Sequence, residues 1–259
     1  MTAYPDMFSL AGRTAVITGA GSGLGAVIAE AMTEAGAAVA DSDIDTGMLD
    51  KTASRLKKMG GKVLARRCDV TSEEQVEQMV QAAVSEFGTI DILFNNAGIG
   101  DPEPGLLHEY STGNWDKVLD INLRGIFLCS RAVLKIMAQQ GSGKIINMAS
   151  MWGLAGTSSV FPLPAYAASK GAVVNLTREM ALQYAPLGIN VNAICPGFFR
   201  TRLGPYDDPE FVKAITDFTP AGRIAEADEM KGTAIYLASS ASDFAHGLLL
   251  VIDGGCAAK

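Results

Sequence analysis

The sequence predicts an α/β fold: a single doubly wound domain in which a seven-stranded parallel sheet carries helices on both faces. Three observations predict it. Short apolar runs alternate with segments of helical periodicity along the whole chain, and such alternation builds right-handed crossovers between parallel strands. No linker, low-complexity stretch or short-period repeat interrupts the pattern, so residues 1–259 read as one domain. A glycine-rich stretch follows the first apolar run and opens the first helix.

Residues 13–18 (RTAVIT) form the first expected strand. A helix follows over about 23–35, stopped by Gly36. Residues 37–43 read as a second, weaker strand, and 46–59 as a helix ended by Gly60 and Gly61. Residues 62–68 are the third strand. The next helix spans 72–87, with Ser72 as N-cap and Gln75 at the capping-box position. Residues 91–95 are the fourth strand. A loop rich in Gly, Pro and Asp runs to Gly113. One long helix over 114–140 follows, with Gly125 tolerated inside it. Residues 144–149 are the fifth strand, 163–184 a helix and 189–195 the sixth strand. An irregular stretch over 196–224 contains a short helix at 209–216. A helix over 227–239 and a seventh strand over 248–253 complete the pattern.

Between the first strand and its helix, residues 18–25 read TGAGSGLG. Glycines let the backbone turn tightly and approach a pyrophosphate. The helix N-terminus adds unpaired N–H groups and the positive end of its dipole. In this context the domain is Rossmann-like. The spacing T-G-x-x-x-G-x-G, anchored on Gly19, Gly23 and Gly25, describes the turn better than G-x-G-x-x-G. No Gly-Lys-Ser/Thr closes it, so it is not a P-loop, and a dinucleotide is expected rather than a triphosphate. A carboxylate about 20 residues on should bond the adenosine ribose. Asp43 ends the second strand and fits; Asp41, on the same strand face, is the alternative. A carboxylate there repels a 2′-phosphate. Ser22 and Ile44 stand where arginines usually compensate, so the expected cofactor is NAD.

Residues 166–170 read YAASK inside an expected helix, which stacks Tyr166 and Lys170 one turn apart. A nearby ammonium lowers a phenol pKa from about 10 toward working pH. Such a phenol suits acid/base work in alcohol–ketone interconversion. The competing reading is a surface helix with an amphipathic Tyr and a solvated Lys.

With these motifs, nearly the whole chain resembles the short-chain dehydrogenase/reductase family. Beside TGAGSGLG and YAASK, it carries Asp69-Val70 after the third strand and NNAG at 95–98 after the fourth. Asn122 lies within DINLRG, Ser150 ends INMAS, and residues 196–201 read PGFFRT. The resemblance implies hydride transfer between a secondary alcohol and NAD. Tyr166 would exchange the hydroxyl proton, and Lys170 would lower its pKa and hold the nicotinamide ribose. Ser150 would bond the substrate oxygen, and the Asn122 carbonyl would relay protons through a water. The implied cofactor contacts are Gly19, Ser22, Gly23, Leu24, Gly25, Asp43, Asp69, Val70, Asn96, Ala97, Gly98, Tyr166, Lys170, Pro196, Gly197, Phe199 and Thr201. Two departures stand out. The segment between Ser150 and Tyr166 is longer than is common, and Phe199 replaces a small aliphatic residue beside the nicotinamide carboxamide.

Substrate pockets in such folds lie beyond the carboxyl ends of the strands. Here those are loops 99–113, 151–165 and 198–224, the last acting as part of a lid over about 196–224. They carry Met151, Trp152, Phe161, Phe198, Phe199 and Tyr206, with His108, Arg200 and Arg202. The segments FSLAGR and TPAGRI are most similar to sugar-acid and polyol dehydrogenases of the gluconate 5-dehydrogenase kind, so a sugar acid, polyol or cyclic alcohol is expected. A 3-oxoacyl-thioester reductase is the alternative, weighed down by the usual NADP preference of such enzymes. A non-catalytic dinucleotide sensor is the rival class, and the intact catalytic set speaks against it. The family's usual assembly implies a homotetramer.

The formal net charge of −7, without a basic run, gives no expectation of nucleic acid or an anionic membrane as partner. Four scattered cysteines and two histidines show no metal spacing, so no metal is expected. The first ten residues have no basic and apolar leader pattern, no apolar run is long enough for a membrane span, and unpaired cysteines suit a reducing compartment. A cytoplasmic enzyme is expected.

Overall fold

The computed structural model describes residues 5–259. The first four, part of the stretch read for a leader and of the expected domain 1–259, lie outside the described residues. In chain order the elements are β1 (Thr14–Thr18), α1 (Gly23–Glu34), β2 (Ala38–Asp43), α2 (Thr46–Lys58), β3 (Val63–Arg67) and α3 (Glu73–Phe87). Then come β4 (Ile92–Asn95), α4 (Thr112–Leu119), α5 (Gly125–Gln140), β5 (Gly143–Met148), α6 (Pro164–Tyr184) and β6 (Ile189–Pro196). The last are β7 (Phe199–Arg200), α7 (Pro209–Phe218), β8 (Ala225–Glu226), α8 (Lys231–Ala238) and β9 (Leu249–Ile252).

Seven strands form one parallel sheet in the order β3-β2-β1-β4-β5-β6-β9. Every strand of it was expected, within a residue or two at each end. The short pair β7 and β8, which fastens Phe199 to Ala225, was not. The alternation of strand side chains splits the core in two. Ile17, Val39 and Phe94 pack on one face with Ile28, Met32, Leu56 and Leu237. Val16, Ala40 and Leu93 pack on the other with Val80, Val133, Met137 and Met180. Each large aliphatic side chain buried this way contributes about 1.5–3 kcal/mol. Cys68, Cys129, Cys195 and Cys256 are buried and unbridged. Among the described residues no helix is long and apolar enough to cross a membrane.

Three local expectations are corrected. The helix over 114–140 is two helices, α4 and α5, joined by a π-helical turn at Asp120–Arg124. Gly125 packs closely there: a Cβ would stand 2.7 Å from Val70 Cγ2, so Val70 would have to shift. The capping box of α3 is half-formed. Ser72 Oγ accepts from the Gln75 N–H, but Gln75 Oε1 accepts from Asp69 N–H and Arg67 instead. The helix over 227–239 begins as a 3₁₀ turn at Ala227–Met230, whose capping box joins Glu226 and Glu229.

The strand order departs from β1 in both directions, β2 on one side and β4 on the other. That reversal opens a crevice beyond the carboxyl ends of the strands, where doubly wound folds bind ligands.

Candidate active site

The crevice is a cavity of about 730 Å³. One end is built by the glycine turn. Gly19 has φ +67° and Gly23 φ +55°, conformations that disfavour any side chain. A Cβ on Gly25 would sit 2.1 Å from the Gly19 carbonyl oxygen, so this residue packs the turn against itself rather than lining the cavity. Ser22 precedes α1 with no side-chain cap bond. With Gly23 and Leu24 it lines the cavity, beside first-turn N–H groups that have no intrahelical acceptor. Thr18 fastens the turn to the NNAG segment. Its Oγ1 accepts from the N–H groups of Asn96 and Ala97, both at 3.1 Å. The Asn96 amide returns a bond to the Thr18 carbonyl at 2.9 Å.

Asp43 closes this end. Its Oδ2 accepts from Gly21 N–H at 2.8 Å, and it lines the cavity. Asp41 does not. It is 1 % exposed, both of its carboxyl oxygens are unpartnered, and burial pushes its pKa up to about 8. Gly19, Asp69, Val70, Asn96, Ala97, Gly98, Pro196, Gly197, Phe199 and Thr201 also line the cavity. Phe199, the unusual aromatic, is 4 % exposed and belongs to the hydrophobic core cluster that also contains Ile194 and Met230.

At the other end Ser150, Tyr166 and Lys170 face the same cavity. The Ser150 hydroxyl follows β5 and accepts from Trp152 N–H at 3.1 Å. Lys170 Nζ donates to the Met148 carbonyl at 2.8 Å and stands 5.6 Å from the Tyr166 ring centre. Burial, rather than the charge of one group on the other, moves both pKa values here. Burial raises the Tyr166 phenol, the Ser150 hydroxyl acting weakly the other way. Burial also lowers Lys170 to about 8. Spacing put the two groups together, but how far each is removed from water is a tertiary property.

Asn122 is buried in the π turn and does not line the cavity. Its side chain clasps the chain after NNAG: Oδ1 accepts from Ile99 N–H at 2.8 Å and Nδ2 donates to the Ile99 carbonyl at 2.9 Å. Nδ2 also donates to Ser169 Oγ at 3.2 Å, which ties the turn to α6. A Cβ on Gly98 would lie 3.2 Å from Asn122 Oδ1 and 3.7 Å from Lys170 Nζ, so Asn122 and Lys170 meet across that glycine.

Of the loop residues singled out, Trp152, Phe161, Phe198, Tyr206 and Arg202 line the cavity, while Met151, Arg200 and His108 do not. Sequence reading passed over Asp101, Leu203 and Phe211, which also line it. Asp101 lies in the loop after NNAG and Phe211 on the expected short helix, but neither carries a motif.

A family model described as enoyl-(acyl carrier protein) reductase matches residues 19–257. A cis-4-hydroxycyclohexanecarboxylate dehydrogenase from Sinomonas cyclohexanicum is 39% identical, over 95% of this chain and 97% of its own length. A short-chain type dehydrogenase/reductase structure from Mycobacterium marinum superposes with TM-score 0.93 at 38% identity, covering 97% of this chain and 98% of that one. The chain belongs to the short-chain dehydrogenase/reductase family. A gluconate 5-dehydrogenase from Burkholderia cenocepacia, solved with NADP and tartrate, also superposes with TM-score 0.93 at 37% identity, covering 99% and 100%. As a short-chain dehydrogenase/reductase the protein is an oxidoreductase of CH–OH groups that uses a nicotinamide dinucleotide. The cradle suits that group: a turn that excludes side chains, open N–H groups of α1 and a carboxylate at its far edge.

Proposed function

We propose that this protein is an NAD-dependent dehydrogenase interconverting a secondary alcohol and its ketone. The observation that carries the reading is the opening of Ser150, Tyr166 and Lys170 onto one cavity that also contains the glycine turn. The nicotinamide, when bound, supplies the hydride acceptor or donor. Tyr166 holds the exchangeable proton at its phenol oxygen. With burial raising its pKa, the phenol is a ready proton donor toward a ketone oxygen. To act as a base it needs a positive charge nearby, which Lys170 and the bound cofactor supply together. Ser150 offers a hydroxyl to the substrate oxygen as charge develops there. Asn122 acts by position, holding Ile99 and α6 through its side chain, and its backbone carbonyl is the proposed proton exit. Replacing Tyr166 by Phe tests the assignment: turnover should fall at least about a thousandfold with dinucleotide affinity kept. Near-normal turnover would refute it.

The named cofactor contacts, with Asp43 on the adenosine ribose, support NAD. Two observations favour NADP instead, the first being that the Burkholderia cenocepacia relative was solved with NADP. The second is that Arg202, from the loop after β7, donates to Met48 Sδ at 3.4 Å in the first turn of α2, and so brings a cation to the Asp43 end of the cavity. The carboxylate lies within the glycine turn's own bonding, and on that ground NAD remains the reading.

The proposed substrate is a sugar acid or cyclic alcohol, as the names of the relatives suggest, or a polyol; a 3-oxoacyl thioester is the alternative. Residues 1–259 act as one catalytic domain, with about 196–224 as its lid. We further propose a cytoplasmic homotetramer. Phe127 on α5, Leu182 on α6 and Val251 on β9 are exposed apolar residues on the elements that would pair. A monomeric mass in light scattering would overturn the assembly.

A further inference from the structure

We infer that the substrate is an uncharged ring alcohol or ketone, and that the chamber selects against carboxylated substrates. The inference rests on the dehydrogenase reading and narrows it. Three loops meet beside Ser150 and Tyr166. Gly105 N–H donates to the Pro162 carbonyl at 3.2 Å, which joins the first loop to the second. Phe161 stacks on Phe211 with ring centres 5.3 Å apart, which joins the second to the third. Leu203 comes to within 4.0 Å of a Cβ built on Gly100, which joins the third to the first.

The resulting wall is aromatic. Tyr206 meets Phe211 edge to face at 5.6 Å, and Trp152 meets Phe198 edge to face at 6.2 Å. All of these line the cavity. Flat apolar faces held by one another suit a ring, and offer few partners to the many hydroxyls of an open sugar chain.

The charges point the same way. A substrate carboxylate would need a cation, and the cations of this region are committed elsewhere. Arg200 pairs with Glu226 at 3.4 Å and is outside the cavity lining. His108 stands beside Glu109, also outside it. Arg202 is drawn to Met48 at the opposite end, and Lys170 donates to the Met148 carbonyl. Two charged side chains lie on the substrate side, Lys170 beside Tyr166 and Asp101 in the loop after NNAG. Asp101 Oδ1 accepts from the Asn114 amide at 2.7 Å and from the Tyr110 hydroxyl, while Oδ2 is buried without a partner. A carboxylated substrate would therefore approach the buried Asp101 carboxylate, and the cation on this side is Lys170, which already donates to the Met148 carbonyl.

The test compares 4-methylcyclohexanol, 4-hydroxycyclohexanecarboxylate and gluconate as substrates of the full chain with NAD and with NADP. The expected kcat/KM for the uncharged ring is at least about 100-fold above gluconate and about tenfold above the carboxylated ring. Phe211→Ala should raise KM for 4-methylcyclohexanol with the dinucleotide KM unchanged. Gluconate equal to or better than the ring alcohol would overturn the inference while leaving the dehydrogenase reading intact. A preference for the carboxylated ring would overturn its charge half. Absence of turnover with all three would count against the dehydrogenase reading instead. Calorimetric binding of 4-methylcyclohexanone against 5-ketogluconate, in the presence of NADH, then decides the pocket: tighter ketogluconate binding overturns the inference.

Discussion

Asp41 and Asp43 stand two residues apart on the same face of β2, yet Asp43 accepts two backbone N–H groups and Asp41 accepts none. Asp43 takes the N–H of Gly21 at 2.8 Å and that of Asp45 at 2.9 Å. Asp41 is paired in register with Ile17 and Ala65 and sealed in the sheet. One carboxyl belongs to the cavity, and the other is a cost to the fold.

That cost has a pH signature. Burial raises Asp41 to about 8 from an ordinary 3.8, so the folded chain holds a proton that the unfolded chain releases between those values. The contribution of Asp41 to stability is therefore most favourable at low pH and declines as pH rises from about 4 to 8. Asp41→Leu fills the site without a polar group and should stabilise the protein by about 2 kcal/mol at pH 8. By thermal unfolding the melting temperature should rise roughly 4–8 °C at pH 8 and less at pH 5. An equal gain at both values would show that ionisation is not the cause.

Asp43 has a cofactor signature instead. Asp43→Asn keeps an acceptor for Gly21 and removes the charge. The ratio of kcat/KM with NAD to that with NADP should fall by about tenfold or more. Steady-state kinetics with both dinucleotides measures it. An unchanged ratio would assign the choice to other groups, Arg202 first.

The difference between these two carboxylates shows what the sequence could reveal. Strand alternation put both on one face, and the glycine turn pointed to the one nearer the strand end. The sheet was legible for the same reason: apolar runs, N-caps such as Ser72 and stops such as Gly36 act within a few residues. The π turn at Asp120–Arg124 was not, because the bonds that accompany it run from Asn122 to Ile99 and Ser169, 23 and 47 residues away. Nor was the fate of the arginines. Arg200 finds Glu226 and Arg202 finds Met48, partners 26 and 154 residues away. Motif spacing brought Tyr166 and Lys170 together, but their desolvation comes from β5, β6 and the loops around them.

Lys170 is buried and, among the described residues, forms no ion pair; its partner is the Met148 carbonyl. Burial lowers its pKa to about 8 from 10.5, so the folded chain gives up a proton that the unfolded chain keeps between those values. The ammonium destabilises the fold below about pH 8, and stability recovers as pH rises toward 10.5. Lys170→Met should raise the melting temperature at pH 7, with the gain shrinking by pH 10. About 1 kcal/mol is lost for the carbonyl left without its donor. The same change should remove most turnover. A variant both active and no more stable would contradict the placement of a buried charge at this position.

Gly25 gives the sharpest steric test of the dinucleotide cradle. A methyl group there would meet the Gly19 carbonyl at 2.1 Å and the Asn96 amide at 2.4 Å, far inside contact distance. Both neighbours are fixed. Gly19 sits in the left-handed region, and the Asn96 amide donates to the Thr18 and Gly19 carbonyls. Neither can yield without opening the turn. Gly25→Ala should therefore weaken NADH binding, read by fluorescence enhancement, by about 100-fold or more. Gly113→Ala, at a position where a Cβ meets nothing within 4 Å, is the matched control and should bind NADH normally. Equal affinities for the two variants would mean that the turn does not cradle the cofactor.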